Sequence, residues 1–247
     1  MDWLLLFDFV VMTLLIMARA DLKSDALIVF VGFAGGLVIE SWGTQTHLWT
    51  YFTLERPPLW IVPAWPIASL SIDRLYRFLN HLASYALRAT PHPARTPPQS
   101  AAVRVTNTAP AYNSARRQHT AGRVAKFLYW LTFLTFYALL LRFVWPTLAK
   151  SLTLSALALC ALLILTPTDY RAALLTFAAG SGLGYFLELW GTTRLCWVYY
   201  TFETPPLFAV LAHGMAAVAF WRAALVIRLF MVKLKLARLP QGRPNDR

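Results

Sequence analysis

Residues 40–59, ESWGTQTHLWTYFTLERPPL, occur a second time at 188–207 as ELWGTTRLCWVYYTFETPPL. The two copies align without a gap at an offset of 148 residues, and eleven of twenty positions are identical. Such a repeat constrains the fold before any local propensity does, because each copy has to build the same supersecondary unit. The offset also pairs Asp21 and Lys23 with Asp169 and Arg171, Gly36 with Gly184, and Arg74 with Arg222. The repeated unit therefore extends at least over 21–74.

Composition sets the solvent of that unit. Hydrophobic residues make up 58% of the chain and charged residues 14%, so a soluble domain of this length could not cover its surface with polar groups. Apolar runs begin near Trp3, Ala26, Pro57, Lys126, Ser151, Ala172 and Pro205. Crossing the hydrocarbon core takes roughly twenty residues, and several of these runs are slightly short. The expectation is an all-α integral membrane protein of about seven transmembrane helices. Asp2 stands where a signal peptide would have a basic region, so the first run reads as a retained span.

A net charge of +12 would point to nucleic acid in a soluble protein, but here its placement matters more. Arg19, Lys23, Arg171, the basic stretch after Asp73 and the tail from Arg222 onward all fall on one side if the helices alternate. By the positive-inside rule that side is the cytoplasm of a plasma (inner) membrane protein. The N-terminus is then outside, the C-terminus inside and both repeated motifs at the outer face, with no nucleic acid among the partners. Cys160 and Cys196 are not repeat-equivalent. No disulfide, metal site or cofactor is expected.

A three-helix unit ends on the side opposite to its start, so a second copy in the same orientation needs one extra crossing. The predicted layout is three helices over 1–84, a disordered basic Pro-rich cytoplasmic linker over 85–123, a connecting helix over 124–148, three helices over 149–232, and a basic tail over 233–247. This 3+1+3 arrangement is a parallel duplication about an axis along the membrane normal. Asp21 and Asp169 read as helix caps. Gly32, Gly35 and Gly36, with Gly180, Gly182 and Gly184, read as close-packing positions. Trp49, Tyr51, Thr53 and Glu55 recur at a period of two, which predicts an extended segment with one common face. Pro57-Pro58 and Pro205-Pro206 then restart the chain as a helix.

Of eleven acidic residues, Glu40, Glu55, Glu188 and Glu203 form repeat pairs close in sequence to Trp and Tyr. A carboxyl moved toward hydrocarbon stays protonated more readily and can serve as a general acid, and aromatic faces beside it stabilise a cation. These four are the candidate catalytic groups, with Asp8 in the first span and His213 in the last as further intramembrane candidates. Trp42, Trp49, Tyr51, Trp190, Trp197 and Tyr199 are the candidate substrate-binding residues, although tryptophan and tyrosine also anchor proteins at membrane interfaces.

The run 43–66, with Trp49-x-Tyr51, Pro57-Pro58-Leu59 and Val62-Pro63-Ala64-Trp65-Pro66, resembles the membrane-embedded carotenoid-modifying proteins. These are the lycopene cyclase domains of the small heterodimeric and fused type, and the carotenoid hydratases. The resemblance implies tandem three-helix units joined by an extra helix, and acid-catalysed addition or cyclisation on a long polyene. The cyclase domains carry a pair of acids after a proline in the third helix. Here Pro63 is followed by Ala64 and Trp65, and the second copy has Leu211, Ala212 and His213. Related chemistry would therefore draw its acid from Glu40, Glu55, Glu188 and Glu203.

The sequence thus predicts acid-catalysed hydration, cyclisation or isomerisation of an isoprenoid-type membrane lipid. A small-solute carrier built from parallel repeats and a non-catalytic scaffold are the alternatives.

Overall fold

The computed structural model describes residues 2–18, 20–89 and 109–237. Those residues form seven α-helices: α1 (Asp2–Met17), α2 (Leu22–Thr46), α3 (Ala64–Ala89), α4 (Ala109–Val144), α5 (Ser151–Leu165), α6 (Tyr170–Thr193) and α7 (Leu207–Ala237). Two short strands, β1 (Trp49–Tyr51) and β2 (Trp197–Tyr199), complete the architecture with a 3-10 turn over Trp145–Thr147. The described residues are all-α apart from this single two-stranded ribbon.

Among the described residues four segments are long and apolar enough to cross a membrane: Leu22–Thr46, Gly122–Thr147, Tyr170–Thr193 and Leu207–Leu234. α1 and α5 are apolar but have only 16 and 15 residues, so each is about 24 Å long at most. Phe7, Leu14, Phe30, Leu134, Leu159 and Leu229 are among many large apolar side chains on the outer surface. Water would not tolerate so much exposed hydrocarbon, whereas a bilayer would.

Helix starts follow the aspartates. The Asp21 carboxylate accepts the Lys23 N–H at 3.2 Å, and Asp25 reaches back to the Asp21 N–H at 3.0 Å. The Asp169 carboxylate accepts the Ala172 N–H at 3.0 Å. Both acids satisfy N–H groups that a helix start leaves without partners. The Ser24 hydroxyl donates to Asp21 and holds its carboxyl below the usual carboxylate range. The glycines also pack largely as expected: a Cβ would strike Ser69 from Gly32, Phe220 from Gly35, Trp65 from Gly36, Ala217 from Gly180 and His213 from Gly184. Gly182 differs, since it meets nothing.

β1 and β2 pair antiparallel, with Trp49 opposite Tyr199, Thr50 opposite Val198 and Tyr51 opposite Trp197. The central pair is itself 148 residues apart, so the ribbon reads alike from either strand. Among the described residues four non-glycine residues have left-handed backbone, His47, Leu54, Leu195 and Phe202, and two peptide bonds are cis, before Pro57 and Pro205. All of these fall into pairs at the same offset.

Three expectations need correction. The extended segment stops at Tyr51, because the left-handed Leu54 turns the chain and donates its N–H to the Tyr51 carbonyl at 2.9 Å. Trp49 and Tyr51 therefore share a setting that Thr53 and Glu55 do not. In the first copy Pro57-Pro58 leads into successive turns, and α3 begins only at Ala64. Pro63 explains this, since it disfavours helical backbone at Val62, whereas Leu211 at the matching place lets α7 start at Leu207. Finally, the 85–123 linker is helical at both ends: α3 runs to Ala89 and α4 starts at Ala109. Pro110 sits in the first turn of α4, where its missing N–H is harmless. The disorder expected over 90–108, and the tail over 238–247, lie outside the described residues.

α4 packs on α5, α6 and α7 through a row of buried aromatics, Tyr129, Phe133, Phe136 and Phe143. The Tyr129 hydroxyl donates to the Ile164 carbonyl at 2.9 Å, so even the polar tip of this row is satisfied.

Candidate functional site

The helix stripe carrying Glu40 explains its surroundings. Gly36, Glu40 and Gly43 lie on one face of α2, as do Gly184, Glu188 and Gly191 on α6. A Cβ on Gly43 would overlap the Trp49 indole, and one on Gly191 would overlap that of Trp197. The bare glycine lets the indole lie flat against the helix one turn beyond the glutamate. The ribbon residue then folds back onto the carboxylate.

Two similar constellations result. Glu40 Oε2 accepts from Trp49 Nε1 at 3.1 Å and from the Tyr51 hydroxyl at 2.9 Å, while its Oε1 accepts from Trp65 Nε1 at 3.1 Å. Glu188 Oε2 accepts from Trp197 Nε1 at 2.9 Å. Its Oε1 accepts from the Tyr199 hydroxyl at 2.8 Å and lies 2.9 Å from His213 Nε2. The glutamates are only 3% and 2% exposed. Buried carboxyl groups persist where hydrogen bonds replace lost water, and three partners each supply that.

The constellations meet rather than stand apart. Trp49 packs on Tyr199 and Tyr51 on Trp197, both with ring centroids 5.9 Å apart. Trp65 stacks on His213 at 5.6 Å and 18°. Both carboxyls border one cavity of about 580 Å³, under the ribbon and between α2, α3, α5, α6 and α7. Burial, and then the neighbouring glutamate, raise the Tyr51 and Tyr199 phenols well above their usual range. They remain protonated donors.

Trp42 also lines the cavity, and its Nε1 donates to Thr153 Oγ1 at 3.3 Å, tying α2 to α5. A turn further along, Val38 and Leu159 line the cavity while remaining 62% and 54% exposed. The cavity therefore opens sideways between α2 and α5, through apolar walls.

Not every candidate converges. Glu55 is exposed and accepts from the Thr53 hydroxyl at 3.0 Å and from Trp60 Nε1 at 2.9 Å. Glu203 is likewise exposed, so these two acids lie on the outer surface of the hairpins. Trp190 is not part of the cavity lining, and its buried Nε1 has no partner. Asp8 is 4% exposed with an unpartnered Oδ2, on α1, which packs on α3 and α6 away from the cavity. Trp65 is the residue that sequence reasoning missed. Its signal was its place opposite His213 in the repeat.

Gly43→Ala tests this local logic. The methyl group displaces the Trp49 indole and strains the buried cluster, costing about 1–3 kcal/mol. Thermal denaturation in mild detergent checks it, and Gly182→Ala, which meets open space, is the control.

Among the described residues no group of three His, Cys, Asp or Glu side chains could hold a metal ion. Compared with known proteins, the chain matches no family model, no curated protein and no solved structure.

Proposed function

We propose that this protein spans the membrane as two parallel three-helix units joined by α4, and that the cavity between them carries out acid-initiated chemistry on an isoprenoid-type lipid. The carrying observation is that two buried carboxyls, each held by a tryptophan and a tyrosine, face one aromatic cavity with exposed apolar residues at its side. Protonation of a carbon–carbon double bond needs a proton donor, surroundings that exclude water, and π faces near the developing cation. The sideways apolar opening suits a substrate that arrives from lipid.

The crossed register of the ribbon and the paired backbone features support the duplicated arrangement. The ribbon also favours an enzyme over a carrier. It hydrogen-bonds the two units to each other at one end, where alternating access would require them to separate.

Expression in a host that makes acyclic carotenoids or polyprenols, followed by mass analysis of lipid extracts, tests the reading. A product isomerised or heavier by one water is expected. Unchanged extracts from hosts supplying both lipid classes would remove it.

The ribbon end faces outside and the 90–108 segment faces the cytoplasm. In a background lacking Cys160 and Cys196, Thr204→Cys reacts with an impermeant thiol reagent in intact cells and Ser100→Cys does not. Labelling at position 100 from outside reverses the orientation.

A further inference from the structure

The two carboxyls share a Trp and a Tyr donor, and differ in the third partner. Around Glu40 all three partners are fixed donors, and two are indoles, which donate a hydrogen bond but do not release the proton. Around Glu188 the third partner is an imidazole at 2.9 Å, whose ring nitrogen can either donate or accept a proton. Access differs too. The Glu188 side chain is 3% exposed and that of His213 is 19% exposed, and both border the cavity.

We infer that the twofold-like site is functionally divided: Glu188 and His213 form the proton-delivering pair, while Glu40, held by Trp49, Tyr51 and Trp65, is the anion that steadies the resulting cation. This division rests on the acid-initiated reading above. The resting pair holds one proton between Glu188 Oε1 and His213 Nε2. The Glu188 O–H bond breaks as the π pair of the substrate double bond forms a new C–H bond, leaving a carbocation and a Glu188 carboxylate. Loss of a proton from a neighbouring carbon then returns it to Glu188 and yields an isomerised or cyclised product. Attack by water on the cation yields a hydrated product and returns the water's proton to the same carboxylate. Either route restores the starting state.

The ionisable groups around the pair are Glu40 on α2, Tyr51 and Tyr199 on the ribbon, and Cys160 on α5, all in the cavity lining. Trp65 on α3 faces His213 and does not titrate.

The experiment uses purified full-length protein in lipid nanodiscs without substrate, in an Asp8→Asn background that removes the buried carboxyl outside the cavity. Infrared difference spectra in H₂O and D₂O are recorded across pH. One exchangeable carboxyl signal is expected, changing together with an imidazole signal. Both vanish in Glu188→Gln. In His213→Gln the imidazole signal is lost and the carboxyl titration moves, and Glu40→Gln leaves both in place. Exchanging the third partners, as Trp65→His with His213→Trp, transfers the signal to Glu40. Loss of the carboxyl signal in Glu40→Gln with Trp65 and His213 intact overturns the division, as does an unchanged Glu188 titration in His213→Gln. With no substrate in the assay, a positive spectrum beside unchanged lipid extracts would count against the lipid chemistry and leave the proton pair standing.

Discussion

Glu188→Gln lowers product formation by roughly 10²–10⁴-fold, the contribution of a positioned general acid, while the protein accumulates to wild-type levels. The amide suits this position. Its oxygen takes the Trp197 N–H, and its NH₂ group finds acceptors in the Tyr199 oxygen and a neutral His213 ring. Glu40→Gln also abolishes turnover, but it damages the fold. All three partners of Glu40 are donors, so the NH₂ group must confront one of them. One buried donor left unmatched costs about 1–3 kcal/mol. Melting in detergent separates the two substitutions, and lipid analysis at matched protein abundance reads their activity. Glu55→Gln and Glu203→Gln, on the exposed hairpin surface, leave turnover near wild type. Full activity in Glu40→Gln, Glu188→Gln and their double mutant would eliminate acid catalysis and move the carrier and scaffold readings ahead of it.

Glu40 and Glu55 looked alike in the sequence, because both recur in the second copy beside Trp and Tyr. What separates them is local. Glu40 lies between Gly36 and Gly43 on one helical stripe, and the ribbon tryptophan folds back across the second glycine. Glu55 follows the left-handed Leu54, after the chain has turned away. That stripe of small residues was legible, but its meaning depends on where Trp49 comes to rest, which spacing alone does not fix. The helix count and the aspartate caps were legible because hydrophobic runs and short-range hydrogen bonds decide them. The pairing of β1 with β2 was not, since it joins residues 148 apart through backbone groups that carry no sequence signature. Trp65 and His213 were legible only as a difference between the copies, and their common role, a hydrogen bond to the glutamate, depends on how α3 and α7 pack against α2 and α6.

At the end away from the ribbon, Arg74→Ala destabilises the protein by roughly 3–5 kcal/mol, the cost of breaking a buried ion pair from one side. Arg74 Nη2 donates to both oxygens of Asp25 at 2.8 and 2.7 Å, its Nη1 donates to Asp73 at 2.6 Å and its Nε to the Ala18 carbonyl at 3.2 Å. Its side chain is 4% exposed and that of Asp25 is 13% exposed. Removing the guanidinium strands the Asp25 charge, while Asp73 keeps Arg77 at 2.8 Å. Arg222 is its repeat partner, yet it meets no acid: positions equivalent to Asp25 and Asp73 are Ala173 and Trp221. It donates instead to the Leu163 and Pro167 carbonyls and to Thr166 Oγ1. Arg222→Ala therefore costs only about 1 kcal/mol, the net worth of ordinary hydrogen bonds. Arg74→Lys recovers part of the loss, because one ammonium cannot serve Asp25, Asp73 and the Ala18 carbonyl together as the three guanidinium nitrogens do. Melting of the four proteins in one detergent, at fixed pH and salt, reads these differences. A larger loss for Arg222→Ala than for Arg74→Ala, or full recovery with lysine, would show that the Arg74–Asp25 pair is not what holds α3 against α2.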